Sequence, residues 1–208
     1  MAGAAFELSN NDYDWLGPGI YFWEANPQRG LEFAKEASKR EPLRISNPFV
    51  IGAVIELGLC LDLTTSIGLE WVRIAYDSLV HVARAAALDL PSNSGDNLTR
   101  NLDCAVIRRL HTILDAQKLP PIDTLKGVFT EGQPVYPGAG FREKTHIQIA
   151  VKQSALYQGR LSCAFRPVGC LTGPPSRSMR VRNLRTRAQG ETNNLNWSER
   201  TMLLAEGQ

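Results

Sequence analysis

The stretch "DYDWLGPGIYFWEANPQRGLEFAKEASKR", residues 12–40, decides how the rest of the chain is read. Two of the four tryptophans, Trp15 and Trp23, stand in it, with Tyr21 and Phe22 between them and a Gly-Pro-Gly turn at 17–19. Gly17 and Gly19 let a backbone pass close to a neighbour, either another strand or a ligand. "IYFW" is β-prone, so the turn feeds a strand. Alternation along that strand puts Ile20 and Phe22 on one face and Tyr21 and Trp23 on the other. Asn26 can cap a helix and Pro27 suits its first turn. Leu31, Phe33, Ala34 and Ala37 then recur at helical spacing with charges between them. Turn, strand and capped helix follow in about 28 residues. On the residues alone the aromatics have two readings: core filler along a buried strand, or the walls of a slot for a flat ring.

Working outward, "PFVIGAVIELGLCLDL" (48–63) reads as one long buried strand with a bend at a glycine. In the run from Ser66 to Leu90, Leu69, Val72, Ala75, Tyr76, Leu79, Val80 and Ala83 mark an amphipathic helix. A polar loop at 91–101 precedes a second helix at 102–117. "TLKGVFTEG" (124–132) is a strand running into a turn, and 133–143 is a Gly/Pro-rich loop. "KTHIQIAVKQ" (144–153) alternates as a strand. Strands and helices mix without regular βαβ alternation, which predicts an α+β domain.

The composition, 43% hydrophobic and 21% charged over 208 residues, fits one globular domain with a tail. No apolar run approaches the ~20 residues that cross a bilayer. The N-terminus lacks a basic start and apolar core, so a cytoplasmic protein without a membrane partner is expected. Cys60, Cys104, Cys163 and Cys170 lack metal-ligand spacing, and no metal site is expected. Cys60 and Cys104 sit in apolar runs and read as buried thiols. Residues 171–208 hold six arginines against three glutamates, while 1–170 is near neutral. The expected division is therefore a domain at 1–170 and an Arg-rich, disordered tail at 171–208. That tail offers weak contact to a nucleic-acid backbone.

"LGPGIYFWEANPQRGLEFA" resembles the nucleotide-binding segment of the ADP-ribosyltransferases related to diphtheria toxin and the poly(ADP-ribose) polymerases, in a bacterial branch of that family. Gly17, Gly19, Ile20, Tyr21 and Phe22 match its "G-x-G-I-Y-F" strand in register. Phe33 matches the second aromatic of the following helix with a one-residue shift. The resemblance covers roughly 12–166 and is most specific at 15–34. It implies a split mixed or antiparallel sheet with flanking helices. It also implies NAD as a substrate, and mono-ADP-ribosyl transfer to a protein or nucleic-acid acceptor, as in bacterial toxins and defence effectors. Such an enzyme belongs to the glycosyltransferase class. By the same resemblance, Tyr21 and Phe33 enclose the nicotinamide, and Gly17, Gly19 and Phe22 shape the cofactor site.

The family's late strand carries a glutamate, and aligning the apolar positions of "KTHIQIAVKQ" puts Gln148 in its place. A glutamine can hydrogen-bond a ribose hydroxyl but cannot act as a base. Glu131, at the end of the preceding strand, is the nearest upstream carboxylate and completes the catalytic set of Tyr21, Gln148 and Glu131. Its plainer reading is a solvated turn residue. The family's early histidine has no counterpart before Tyr21, so the chain is expected to be an N-terminally incomplete version of the domain. His146 alternates with Gln148 and is the histidine that can face the slot; His81 and His111 read as helix residues. The competing expectation is a non-catalytic binding module or relic of the same fold.

Overall fold

The computed structural model describes residues 8–39, 48–95 and 98–152, and the backbone of 161–164 and 199–206. Among the described residues, seven strands and three helices run in the order β1 (Ile20–Glu24), α1 (Pro27–Ala37), β2 (Phe49–Glu56), β3 (Cys60–Asp62), α2 (Ser66–Ala85), α3 (Asn101–Ala116), β4 (Thr124–Phe129), β5 (His146–Val151), β6 (Leu161–Ala164) and β7 (Glu199–Glu206). They form one sheet in the order β3-β4-β5-β1-β7-β2-β6. The pair β3–β4 is parallel and the others are antiparallel. The class is α+β with a mixed sheet, as expected.

Local chemistry sets the elements around the opening stretch. Asn26 accepts the Arg29 backbone N–H at 3.0 Å and Pro27 occupies the first turn of α1. At α3 the capping is not local. Arg100 occupies the cap position but its side chain caps no backbone N–H, and Asn93 Oδ1, from the preceding loop, accepts Leu102 N (2.9 Å) and Asp103 N (3.3 Å).

The single strand expected at 48–63 is two. Gly58 turns at φ +58°, ending β2 and starting β3 at the other side of the sheet. Glu56 and Cys60 are joined by four peptide steps, a reach of about 14 Å. Their strands lie five positions apart, about 24 Å in a flat sheet. The sheet must therefore curl. It brings Ala53 and Ile55 of β2 back over Ile20 and Phe22 of β1 and Ile149 and Val151 of β5, forming one core cluster. On the opposite face, α2 and α3 cover the β3–β4–β5 end with a second cluster built on Leu61, Ala75, Val106, Ile107, Leu110, Leu114 and Leu125.

Two further expectations are revised. In α2 the buried line is Gly68, Ala75 and Ala83, with Trp71, Val72 and Leu79 packed beside it, so Leu69 and Tyr76 face solvent. The stripe turns this way because Gly68 lies against β3, where a Cβ would meet the Asp62 carbonyl oxygen at 2.0 Å. Cys104 is buried but Cys60, on an edge strand, is only half-buried. Glu199–Glu206, within the expected tail at 171–208, lies between β1 and β2 as β7. Residues 171–198 of that tail, and the arginines among them, fall outside the described residues.

Candidate functional site

The registers of β1, β5 and β4 place the expected residues. Tyr21 pairs with Ala150 and Trp23 with Gln148, while Gln148 pairs with Gly127 and His146 with Phe129. Directly paired residues share a face. Tyr21, Trp23, His146, Gln148, Gly127 and Phe129 therefore line one side of three neighbouring strands. Phe33, from α1, meets this side at its edge: its ring lies 5.1 Å from Trp23 and is 38% exposed.

A directional chain of hydrogen bonds runs across the face. The Trp15 indole N–H donates to Gln148 Oε1 at 2.6 Å. Gln148 Nε2 stands 3.0 Å from His146 Nε2, and His146 Nδ1 stands 2.6 Å from the Lys144 carbonyl. An indole N–H can only donate and a carbonyl can only accept. The amide must therefore turn its oxygen to Trp15 and its NH2 to the imidazole, and Nδ1 carries the imidazole proton. His146 is neutral in this arrangement. Burial pushes its pKa below the usual histidine value, and the Arg29 charge adds to that, against opposing contributions from the Lys144 carbonyl and Glu131.

Glu131 lies beyond the end of β4 and is not the solvated turn residue of the plainer reading. It accepts from Arg29 Nη2 at 2.9 Å, and only 17% of its side chain is exposed. Arg29 is itself buried, with Glu36 at 3.5 Å as a second partner, and its guanidinium lies 5.9 Å from the Phe33 ring. Lys144 ties Glu36 from the far side at 2.7 Å. Arg29 Nε and Nη1 and Trp23 Nε1 find no acceptor among the described residues. A patch of unused donors thus adjoins the exposed Phe33 ring.

Other expected residues are engaged differently. Phe22 is fully buried in the opposite core with Ile55 and Ile149, because alternation turns it away from Tyr21; it does not reach the site. The bareness of Gly17 and Gly19 serves the protein's own packing. A Cβ on Gly17 would meet Ile107 Cγ2 at 2.8 Å, and one on Gly19 would meet the Val151 carbonyl oxygen at 3.0 Å. Gly17 also turns at φ +73°. The Tyr21 hydroxyl closes this turn, donating to the Gly17 carbonyl (2.8 Å) and accepting from Leu16 N (3.1 Å). Burial first, and then the charge of Asp14, raises its pKa above the ordinary tyrosine value. Its ring can border a ligand, but its hydroxyl is committed.

Sequence reasoning did not single out Arg29, Arg100, Gly127 or Phe129. Arg100 stacks 4.5 Å above the Trp15 ring, and Phe129 lies 5.5 Å from it. A glycine inside a strand pattern is the signal that could have found Gly127, since it marks a close approach. The arginines gave no signal, because the groups that hold them at this face, Glu131 for Arg29 and the Trp15 ring for Arg100, are distant in sequence. Away from this face, cavities lie along α2 beside Tyr76, His81 and Arg84, and between α2 and α3 beside Ser78, Arg109 and Ile113. None of the expected site residues lines them. No helix among the described residues is long and apolar enough to cross a membrane. The chain matches no protein-family model, no curated protein and no solved structure.

Proposed function

We propose that the chain is an ADP-ribosyltransferase-like domain whose β1–β5 face handles NAD, with a protein or nucleic acid as the acceptor. The observation that carries this reading is the placement of Tyr21, Trp23, His146 and Gln148 on one face of two hydrogen-bonded strands, with the exposed Phe33 ring at its edge. That is where the matched motif needs its aromatics. In the reaction the bond between the nicotinamide nitrogen and ribose C1′ breaks, and its electron pair leaves with nicotinamide. A lone pair of the acceptor adds to C1′, and the acceptor proton passes to a base. Gln148 cannot be that base. Glu131, whose charge acts on His146, is the carboxylate assigned that role, and the unused donors of Arg29 suit the carboxamide or phosphate oxygens of the dinucleotide.

The second reading, a non-catalytic binding module of the same fold, is favoured by one observation. Both ends of the Gln148 amide are already bonded, and the residues lining the face from β1, β4 and β5 include no carboxylate. Nicotinamide release from NAD separates the two. Release that disappears in Glu131→Gln supports transfer. NAD binding without release, unchanged in Glu131→Gln, supports the module. Neither binding nor release, by the full chain and by a form with Trp15 replaced, would remove NAD from the account.

A further inference from the structure

We propose that Trp15 is an internal plug: its indole fills a ring slot on the β4–β5 face and must leave before the ring of a ligand can enter. This rests on the NAD reading of the face and adds what controls entry to it.

The slot is defined by what surrounds the indole. Its floor is Gly127, in the middle of β4. A Cβ there would stand 2.5 Å from Trp15 Cη2 and 3.0 Å from Cζ3, so any other residue would shut the recess. One end presents Gln148 Oε1, held in that orientation by the His146–Lys144 relay. The Phe129 ring lines the slot at 5.5 Å and the Arg100 guanidinium covers it at 4.5 Å. A flat floor, a fixed acceptor, an aromatic wall and a cationic cover together suit a planar ring bearing an N–H donor. A heteroaromatic carboxamide has that chemistry, and so does the indole that now sits there. A buried indole N–H needs an acceptor wherever it packs; here the acceptor is a side-chain amide that a second hydrogen bond holds in place.

The indole is carried on a segment held largely by side-chain contacts, although Leu16 beside it is buried and its N–H is bonded to the Tyr21 hydroxyl. Ser9 and Gly19 form a single bridge, Asp14 gathers Ser9 Oγ and Asn11 N, and Arg108 reaches Asp12 and Asn10. Gly17, at positive φ, marks the end of the segment. Arg100 is a quarter exposed and is also tied to Asp103, so the cover is reached from solvent. Trp15 lies on no strand, so its departure, which must also free Leu16 N from the Tyr21 hydroxyl, would leave the β4–β5 ladder paired.

The test uses the full chain and Trp15→Gly, Trp15→Phe and Arg100→Ala, each titrated calorimetrically with NAD, and with indole against its N–H-free analogue benzothiophene. The plug predicts NAD binding at least about tenfold tighter in Trp15→Gly than in the unaltered chain, with Arg100→Ala between them. It also predicts that Trp15→Gly prefers indole to benzothiophene, and that adding Gln148→Leu removes the preference. NAD binding no tighter in any opened form, or equal binding of the two small rings, overturns the plug and leaves Trp15 as core. An intact indole preference without NAD binding by any form keeps the plug and removes NAD as its ligand. Should Trp15→Gly not fold, Trp15→Phe, whose smaller ring lacks the N–H that ties the plug, and Arg100→Ala carry the NAD comparison: tighter binding in either supports the plug, and binding no tighter in both overturns it.

Discussion

A methyl group on Gly127 would collide with Trp15, and that collision sets the cheapest test of the packing on this face. Gly127→Ala is expected to destabilise the fold by about 1–3 kcal/mol, as over-packing does. It is also expected to shift tryptophan emission as the indole moves; urea unfolding followed by fluorescence reads both. An unchanged midpoint would mean that the ring does not lie over Gly127. A second prediction at this scale concerns acid. His146 and His111 are both held below the usual histidine pKa by burial, His111 to about 4, with the nearby Lys152 charge as its second cause. The unfolded chain therefore takes up protons first as pH falls. The contribution of these histidines is complete above about pH 6.5 and is lost progressively towards pH 4. Urea midpoints measured from pH 7.5 to 4.5 should fall with acidification, and His111→Leu should flatten the slope. A midpoint that rises on acidification contradicts the assignment of both as neutral.

At the scale of elements, α3 depends on a residue outside itself. Asn93 bonds two of its first backbone N–H groups, so Asn93→Ala should cost about 1–2 kcal/mol, like the loss of a local cap. Chemical denaturation of the variant reads this, and a change below a few tenths would show the cap to be idle. Asn93 also shows where legibility in the sequence ends. Asn26 and Pro27 announced α1 because a local cap lies beside the helix it starts. Asn93 lies eight residues before Asn101 and read only as polar loop. The β1 alternation was legible because period two fixes the face of every residue once the strand is recognised. It put Tyr21 opposite Phe22 correctly, although the motif match assigned both to the cofactor. The break at Gly58 was harder to read. Apolar residues continue on both sides of it, and only the strand order shows that β2 and β3 lie towards opposite ends of the sheet.

For the whole molecule, β7 matters most. It lies between β1 and β2, pairing with β2 along all eight residues, so it joins the two halves of the sheet. The Arg-rich composition around it hid this strand, since "ERTMLLAE" is short and follows a long polar stretch. A backbone hydrogen bond contributes roughly 1 kcal/mol net, so deleting 199–208 should remove several kcal/mol. Limited proteolysis should then cut within β1 or β2 rather than trim to a stable core. A truncated chain as resistant as the full one would remove β7 from the sheet. The curl that β7 completes also packs β2 over the back of β1 and β5, leaving their front free for α1, Trp15 and the candidate site. The measurement that reaches the central claim is calorimetric titration of NAD into the full chain and into Phe33→Ala, whose partly exposed ring can be removed without opening a core. The account predicts saturable binding that Phe33→Ala weakens by a few-fold to about tenfold, the value of one aromatic contact. Binding that is indifferent to Phe33, or none even after Trp15 is removed, would contradict it.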